Sequence, residues 1–539
     1  MQGLMQHYPL TLPMLFQRAE RQFPDKEIVT ATATGRERTT YGAWADRTRR
    51  LGTVLDTLGI SADGRVGTFA WNTARHLECY FAAPCTGRVL HTLNIRLFPE
   101  QLTYIANHAE DEVVFVDRSL LGLLWPLTDT FKTVQHYVVM DDGKGDIPDD
   151  PRILHYEDLL AAAEPREWHV EDENLAASMC YTSGTTGNPK GVVYSHRSTV
   201  LHTFGAMMAD SLGACEADTI LPIVPMFHAN AWGLAHAAVA SGARLVFPGP
   251  DLSAPAIVDL MESEKVTVAA GVPTIWMGVL PLLQGRDVSS LRAIPCGGSA
   301  VPKTLSEGFR KATGLPILQA WGMTETSPIA STGRVRSTYA GRPEEELADL
   351  RTAQGIAVPG VEARIVDAAG DELPWNGVAF GELQVAGPWI AAAYYDDPRS
   401  PDSFTKDGWL RTGDVATIAP DAYIRLVDRT KDVIKSGGEW ISSVDLENEL
   451  MGHPAVAEAA VIGVASTRWS ERPLACVVVK EGFEKTDALK AELIEYLIPR
   501  VAKFWVPERV EFIDEVPKTS VGKFSKKDLR SRFEDVLLP

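Results

Sequence analysis

The stretch AASMCYTSGTTGNPKGVV, residues 176–193, sets a glycine- and hydroxyl-rich segment between two apolar runs. Its middle, YTSGTTGNPKG, holds three glycines, four Ser or Thr hydroxyls and one lysine. Glycines let backbone N–H groups close around an oxyanion, hydroxyls donate further hydrogen bonds, and the lysine supplies positive charge. No Gly-Lys-Ser or Gly-Lys-Thr triplet closes the segment, so it is not a Walker loop. We therefore predict a loop that binds the phosphates of a nucleotide, in preference to a flexible linker.

On both sides of this loop, short apolar runs alternate with helical stretches as far as about residue 425. A typical helical stretch is APAIVDLMESEK, residues 254–265. The strand candidates are VVFVD (113–117), ARLVFPG (243–249), VTVAAGV (266–272) and LRAIPCGG (291–298). This alternation predicts α/β layers with mostly parallel sheets. Residues 11–60 are expected to form two helices around an extended segment. The stretch GVAFGELQVAGP, residues 377–388, predicts short strands separated by glycine, in a small β-barrel or a meander.

A domain boundary is predicted near Asp428. It separates a large N-terminal domain, residues 1–427, from a small mobile α+β domain, residues 428–539, whose size suits an independent unit. In the second part we expect helices at 443–451 and 485–500, strands at 457–464 and 474–480, and a basic tail. This part has 17 Lys+Arg and 20 Asp+Glu, a net charge of −3. The whole chain has 52 and 71, so the first 427 residues hold 35 and 51, a net charge of −16.

Composition excludes several classes of protein. Hydrophobic residues make up 45% of the 539 residues and charged residues 23%, which rules out a disordered or collagen-like chain. The net charge of −19 argues against nucleic acid or an anionic membrane as partner. The chain shows no signal-peptide pattern, no apolar run long enough to span a membrane and no CxxC pair. We therefore expect a cytoplasmic protein with reduced, buried thiols at Cys79, Cys85, Cys180, Cys215, Cys296 and Cys476.

Further motifs extend the pattern over nearly the whole chain. They are PMFHANAW (225–232), GGSAVP (297–302), QAWGMTETSP (319–328), GWLRTGD (408–414), DRTKDVIKSGGEWIS (428–442) and PKTSVGKFSKKDLR (517–530). Together with the loop at 181–191, these seven motifs resemble, in order and spacing, those of the adenylate-forming enzymes. That superfamily includes acyl-CoA synthetases, peptide-synthetase adenylation domains and beetle luciferases, and the segments are most similar to medium- and long-chain fatty-acyl-CoA synthetases.

The resemblance implies an ATP site with one magnesium ion. Trp321 would stack on adenine where many relatives have tyrosine, Asp414 would accept the ribose hydroxyls beside Arg429, and Thr324 would contact the α-phosphate. Glu325 and Thr182 would hold Mg²⁺, a hard cation that prefers oxygen ligands. The implied ATP-binding residues are Thr182, Ser183, Gly184, Thr185, Thr186, Gly187, Lys190, Gly298, Ser299, Trp321, Gly322, Met323, Thr324, Asp414 and Arg429.

The resemblance also implies an acyl pocket and two catalytic lysines. His228, at the carboxylate end, and Trp232, as a gate, would line the pocket with Gly297, Gly298 and Ala320. Lys523 would bridge the carboxylate and the α-phosphate, two anions whose repulsion a positioned cation offsets. Lys435 would serve the second step. The implied CoA-binding residues are Gly437, Gly438 and Trp440, and the implied hinge is Asp428.

The expected activity is that of an ATP-dependent acyl-CoA ligase. A carboxylate and MgATP would give acyl-AMP and pyrophosphate, and CoA would then give the thioester and AMP. The expected acid is a medium- or long-chain fatty acid, with a short thioether acid such as 3-methylmercaptopropionate or an aryl acid as alternatives. A non-catalytic binding protein, a carrier-loading enzyme, a luciferase-like oxygenase and an ATPase stay open. The resemblance also implies a homodimer formed through the N-terminal region.

Overall fold

The computed structural model describes residues 1–182, 188–436, 439–518 and 524–538, and for residues 439 and 440 the backbone alone. Strands and helices alternate along the described chain as the sequence pattern predicts. The strands are β1 (Glu27–Thr32), β2 (Gly35–Thr40), β3 (Arg65–Phe69), β4 (Val89–Thr92), β5 (Asp111–Asp117), β6 (His136–Met140), β7 (Ile153–His155), β8 (Ala176–Tyr181), β9 (Gly191–Ser195), β10 (Thr219–Pro222), β11 (Arg244–Phe247), β12 (Val268–Ala270), β13 (Pro295–Cys296), β14 (Leu318–Gly322), β15 (Ile329–Thr332), β16 (Ile356–Ala357), β17 (Glu362–Val366), β18 (Phe380–Ala386), β19 (Leu410–Ile418), β20 (Ile424–Arg429), β21 (Ile434–Ser436), β22 (Glu439–Ile441), β23 (Val456–Ser466), β24 (Ser470–Val479), β25 (Arg509–Phe512) and β26 (Leu537–Leu538).

The helices fill the connections between the strands. They are α1 (Leu12–Gln22), α2 (Tyr41–Thr57), α3 (Ala74–Cys85), α4 (Pro99–Ala109), α5 (Arg118–Leu124), α6 (Tyr156–Ala162), α7 (His196–Met207), α8 (Leu234–Ser241), α9 (Ala254–Ser263), α10 (Pro273–Val279), α11 (Lys303–Thr313), α12 (Glu344–Leu350), α13 (Ser443–Met451), α14 (Asp487–Leu497) and α15 (Lys526–Arg532).

Two mostly parallel sheets dominate the first part of the chain. One has the strand order β7-β6-β5-β3-β4-β8-β9, and all its pairs are parallel except β8 with β9. The other has the order β12-β10-β11-β1-β2, in which only β1 and β2 run antiparallel. Strands such as β5 are buried on both faces, since helices cover both sides of a parallel sheet. The predicted α/β layers are therefore confirmed.

The region predicted as a small barrel or meander is a meander. Strands β17, β18, β19 and β20 form an antiparallel sheet in sequence order. The prediction of short strands separated by glycine is wrong, because β18 runs unbroken through Gly381. A Cβ atom at Gly381 would lie 2.2 Å from the carbonyl oxygen of Val366. This glycine permits a close approach of two strands and does not end one.

The last part of the chain has its own sheet, of order β22-β21-β24-β23-β26, with β25 paired to β24. Helix α13 has the predicted bounds, and strands β23 and β24 form the predicted pair. Helices α13 and α14 bury Leu446, Leu450, Leu493 and Leu497 against this sheet. The chain changes sheets directly after β20, which contains Asp428. The assignment of 1–427 and 428–539 as separate domains stays a prediction.

Three further details differ from or limit the sequence expectations. In the stretch 291–298, the structure has regular strand only at Pro295–Cys296. Five of the six cysteines are buried as expected, but Cys215 is exposed. Across the described residues, no helix combines the length and the apolar character needed to cross a membrane.

Candidate active site

The predicted phosphate loop connects two paired strands of the seven-stranded sheet. Strand β8 ends at Tyr181 and β9 begins at Gly191. The backbone N–H of Thr182 donates to the carbonyl of Lys190 at 2.9 Å, and the N–H of Lys190 donates to the Thr182 hydroxyl at 3.2 Å. These bonds close the base of the loop and place Thr182 and Lys190 side by side. Predicted ATP ligands Ser183, Gly184, Thr185, Thr186 and Gly187 lie outside the described residues.

Tyr394, which lies outside the quoted motifs, contacts both Glu325 and Lys190. The hydroxyl of Tyr394 donates to Oε1 of Glu325 at 2.5 Å. The ammonium of Lys190 lies 4.3 Å from the centre of the same tyrosine ring and donates to the Ser403 hydroxyl at 3.2 Å. Burial, followed by the Glu325 charge, raises the pKa of Tyr394, so its hydroxyl stays a donor.

The residues around Glu325 fit a bound cation. Glu325 is 5% exposed, so its carboxylate is largely removed from water. Among the described residues, its carboxylate accepts from the Tyr394 hydroxyl and forms no ion pair with a lysine or arginine, although a buried charge is normally compensated. The neighbouring Thr324 is also buried, and its carbonyl accepts from the Tyr194 hydroxyl at 2.7 Å. A divalent cation with oxygen ligands matches this donor set.

Trp321, which precedes Glu325 by four residues, forms a second group with Asp414 and Arg429. The indole N–H of Trp321 donates to Oδ2 of Asp414 at 2.9 Å, and Nε of Arg429 lies 2.6 Å from Oδ1. Trp321 lies near the end of β14, whereas Asp414 on β19 and Arg429 on β20 are directly paired residues. The Asp414 carboxylate is thus held on both sides and keeps further lone pairs for hydroxyl donors.

Replacing Trp321 with phenylalanine tests this group. A phenylalanine ring would keep the stacking on adenine that the family resemblance implies, but the hydrogen bond to Asp414 would be lost, and we expect the Kd for ATP to rise about 5- to 10-fold. Isothermal titration of ATP measures it. Trp375→Phe, at a half-exposed tryptophan in the loop between β17 and β18, is the matched control. An equal ATP affinity in both variants would contradict the prediction.

Three of the predicted acyl-pocket residues, Gly297, Ala320 and Trp232, lie against one another. A Cβ atom at Gly297 would lie 2.6 Å from the carbonyl oxygen of Ala320 and 3.4 Å from a ring carbon of Trp232. The indole of Trp232 therefore covers the backbone of Gly297, and no side chain fits between Gly297 and Ala320. The next residue, Gly298, has φ +86°, a left-handed conformation that favours glycine.

The spacing of His228 and Trp232 does not reflect an α-helix. His228 is extended, and Ala229, Asn230, Ala231 and Trp232 all have positive φ values between 42° and 57°. This left-handed turn carries Trp232, whose indole lies over Gly297. The buried side chain of Asn230 anchors the turn to β8: its amide donates to Ser178 Oγ at 2.9 Å, and it accepts from Cys180 Sγ at 3.1 Å. Burial raises the pKa of the Cys180 thiol to about 11, so it stays a donor.

The remaining predicted site residues are less connected. Ser299 is exposed, whereas Gly322 and Met323 are partly buried beside Thr324. Lys435 has an exposed side chain on β21, and among the described residues no hydrogen bond or ion pair joins that side chain to the Glu325 group. Gly437, Gly438, Lys523 and the side chain of Trp440 lie outside the described residues.

Asp428 lies at the junction where the hinge was predicted. Its backbone pairs with Val415 in the meander, and its Oδ2 accepts from the N–H of Ser443, the first residue of α13, at 2.8 Å. Lys526 lies 4.0 Å from Oδ1 and 2.9 Å from Glu447, whose pKa is raised to about 7 by burial against the opposing pull of that lysine. Asp428 therefore contacts elements from both sides of the predicted boundary.

Two contributors were missed at the sequence level. Tyr394 lies in AAAYYDDP, which has no feature that distinguishes it from core sequence. Asn230 lies inside a quoted motif, and a lone asparagine among alanines is compatible with a left-handed turn.

Comparison with known proteins agrees with this geometry. The sequence model described as AMP-binding enzyme matches residues 16–395, and the one described as AMP-binding enzyme C-terminal domain matches residues 445–523. The chain belongs to the AMP-binding enzyme family. It is 45% identical over 542 residues to the 3-methylmercaptopropionyl-CoA ligase of Ruegeria lacuscaerulensis, with 100% of both chains covered. It is 44% identical to the long-chain-fatty-acid–CoA ligase of Thermus thermophilus, covering 98% of this chain and 96% of that one.

A solved structure shows the same architecture. The crystal structure of the anthranilate CoA ligase AuaEII in complex with anthranoyl-AMP matches with a TM-score of 0.87 at 25% identity, covering 98% of each chain. The expected resemblance to adenylate-forming enzymes and the mixed α/β multidomain fold are confirmed. This AMP-binding enzyme has CoA ligases, which are acid–thiol ligases, as full-length relatives. The roles of its individual site residues stay predictions.

Proposed function

We propose that this enzyme is a carboxylate–CoA ligase that uses MgATP and CoA and releases AMP and pyrophosphate. The observation that carries the proposal is the placement of the Asp414 carboxylate between the Trp321 indole and Arg429, with the buried Glu325 four residues after Trp321 in sequence. A ribose-binding carboxylate beside an aromatic face and a cation-binding carboxylate suit a nucleotide and its metal. Full-length similarity to two CoA ligases supports the thiol as second acceptor.

The chemistry would rest on positioning and electrostatics. A carboxylate oxygen attacks the α-phosphorus, and the bond to the pyrophosphate oxygen breaks, which leaves acyl-AMP. Glu325 and Thr182 would hold Mg²⁺, which neutralises phosphate charge when bound. Lys190, beside Thr182, would meet the phosphates. The CoA thiolate then attacks the acyl carbon and expels AMP. Such preorganised groups act without a protein nucleophile.

For the acid, we propose a short chain of thioether or aliphatic type. The indole of Trp232 lies over Gly297 and narrows the space beside the predicted site of the acyl carboxylate. The 45% identical relative carries the name of a ligase for a short thioether acid. A medium- or long-chain fatty acid is the second candidate, favoured by the relative with 44% identity, which is named a long-chain-fatty-acid–CoA ligase.

A panel of acids tests the whole proposal. Butanoate, 3-methylmercaptopropionate, octanoate, palmitate and benzoate would each be incubated with the enzyme, MgATP and CoA, and AMP, pyrophosphate and acyl-CoA would be measured. We expect stoichiometric AMP and thioester, with the highest kcat/KM for the short thioether acid. The proposal would be contradicted if the products were ADP and phosphate, or if none of the five acids gave a CoA thioester.

Replacing Trp232 with alanine should extend the accepted chain length. Removal of the indole opens space over Gly297, so kcat/KM for octanoate relative to butanoate should rise about 10-fold or more. Trp232→Phe, which removes less volume, should give a smaller rise. The same ratio of octanoate to butanoate in all three proteins would exclude this role for Trp232.

A further inference from the structure

A short backbone segment joins the two motifs that would handle phosphate and metal. The N–H of Ala391 donates to the carbonyl of Glu325 at 2.8 Å, and the N–H of Tyr395 donates to the carbonyl of Gly191 at 2.8 Å. Gly191 directly follows Lys190. Residues 391–395 therefore span from the Glu325 motif to the end of the phosphate loop, and both ends are fixed by main-chain hydrogen bonds.

The side chain of Tyr394 makes the same connection between functional groups. Its hydroxyl donates to Glu325, while the face of its ring receives the Lys190 ammonium at 4.3 Å. The ring is itself immobilised, because the residue is 9% exposed, its N–H donates to the Ser400 hydroxyl at 2.8 Å, and it packs against Phe404. One rigid side chain thus touches both the predicted metal carboxylate and the predicted phosphate cation.

We propose that Tyr394 is a positioning residue that orients the Glu325 carboxylate toward Mg²⁺ with its hydroxyl and holds Lys190 at the phosphate loop with its ring. The proposal rests on the proposed function. Hydrogen bonds that orient a metal-binding carboxylate typically change metal affinity about 10- to 100-fold when removed. Contact of a cation with an aromatic face typically changes affinity about 2- to 30-fold. The two contacts use different parts of the side chain, so they can be removed separately.

Tyr394→Phe removes the hydroxyl and keeps the ring. ATP binding would be titrated calorimetrically in Mg²⁺ and in excess EDTA, and Mn²⁺ binding to the enzyme–ATP complex would be followed by electron paramagnetic resonance. We expect Mn²⁺ affinity and the Mg²⁺-dependent gain in ATP affinity to fall about 10-fold, while the Kd for ATP in EDTA stays within about twofold of wild type. Tyr394→Leu, which lacks the ring, should also weaken ATP binding in EDTA, by about fivefold.

Tyr339 offers a matched control elsewhere in the fold. Its hydroxyl donates to the Asp421 carboxylate, and the Arg342 guanidinium lies 3.8 Å from its ring centre. Tyr339→Phe therefore removes the same kind of hydrogen bond beside the same kind of cation contact, and it should leave the Mn²⁺ affinity at the wild-type value. A fall in Tyr339→Phe equal to that in Tyr394→Phe would assign the effect to general destabilisation and overturn the proposal.

The remaining outcomes separate the two proposals. If Tyr394→Phe keeps the wild-type Mn²⁺ affinity, Tyr394 does not orient Glu325, and the assignment of the enzyme as a ligase is unaffected. If wild-type enzyme gains no ATP affinity from Mg²⁺, the proposed function itself fails. If Tyr394→Leu does not fold, Tyr394→Phe still tests the hydroxyl contact. A Mn²⁺ affinity of Tyr394→Phe below that of wild type then supports the proposal.

Discussion

Lys523→Ala should abolish the adenylation half-reaction and largely spare the transfer of an acyl group to CoA. The carboxylate and the α-phosphate are both anions. A cation placed between them stabilises the transition state and raises the rate of the step by a factor of roughly 10²–10³. ATP–pyrophosphate exchange dependent on the acid measures the first step. Thioester formation from chemically supplied acyl-AMP measures the second step, in which the first repulsion is no longer present.

Lys527→Ala provides the control for charge in the same basic segment. Lys527 is an exposed residue of α15, four positions after Lys523 in sequence. Removing it should leave both half-reactions near wild type. If acid-dependent exchange survives in Lys523→Ala at the level of Lys527→Ala, Lys523 does not have the role that the motif implies. An equal loss of both half-reactions in Lys523→Ala would instead indicate a general structural role.

Asp414→Ala should remove most of the affinity for ATP. It should also remove the discrimination between ATP and deoxy-ATP, which lacks one ribose hydroxyl. Two hydrogen bonds from the ribose to a charged acceptor are worth about 1.5–3 kcal/mol each, so we expect a rise in Kd of at least about 100-fold. The Trp321 indole N–H, which is buried against this carboxylate, would also lose its acceptor. Calorimetry with ATP, 2′-deoxy-ATP and 3′-deoxy-ATP measures the effect.

The deoxynucleotides separate a ribose contact from collapse of the site. Wild type should discriminate between ATP and each deoxynucleotide, and Asp414→Ala should lose that discrimination while it still binds inorganic triphosphate. Asp407→Ala is the control, since Asp407 is a surface carboxylate that pairs with Arg364 on the meander. Undiminished discrimination against deoxynucleotides in Asp414→Ala would show that another group reads the ribose.

Much of the fold was predictable because it depends on local pattern. The alternation of apolar runs and helical stretches predicted the parallel sheets, and helix α13 lies at 443–451 as expected. The exception at Gly381 has a non-local cause, because the residue that explains the glycine, Val366, lies on the neighbouring strand. A glycine that ends a strand and one that allows two strands to approach are indistinguishable in one sequence.

The candidate site was predictable as a set of residues but not as an arrangement. The motifs identified Glu325, Trp321, Asp414 and Lys190 as site residues, because their order of glycine, hydroxyl, carboxylate and aromatic groups is typical of the family. They did not place Tyr394, which belongs to no quoted motif. The spacing of His228 and Trp232 along the chain also did not reveal the left-handed backbone between them.

The amino-acid sequence by itself determined the family, the order of the functional motifs and the concentration of acidic charge in the first 427 residues. These are properties of residues and their neighbours along the chain. Only the tertiary structure decided which groups touch: the Trp321 N–H on Asp414, 93 positions apart, and the Tyr394 hydroxyl on Glu325, 69 positions apart. Such contacts depend on strand register and on the packing of separate sheets, and no local propensity encodes them.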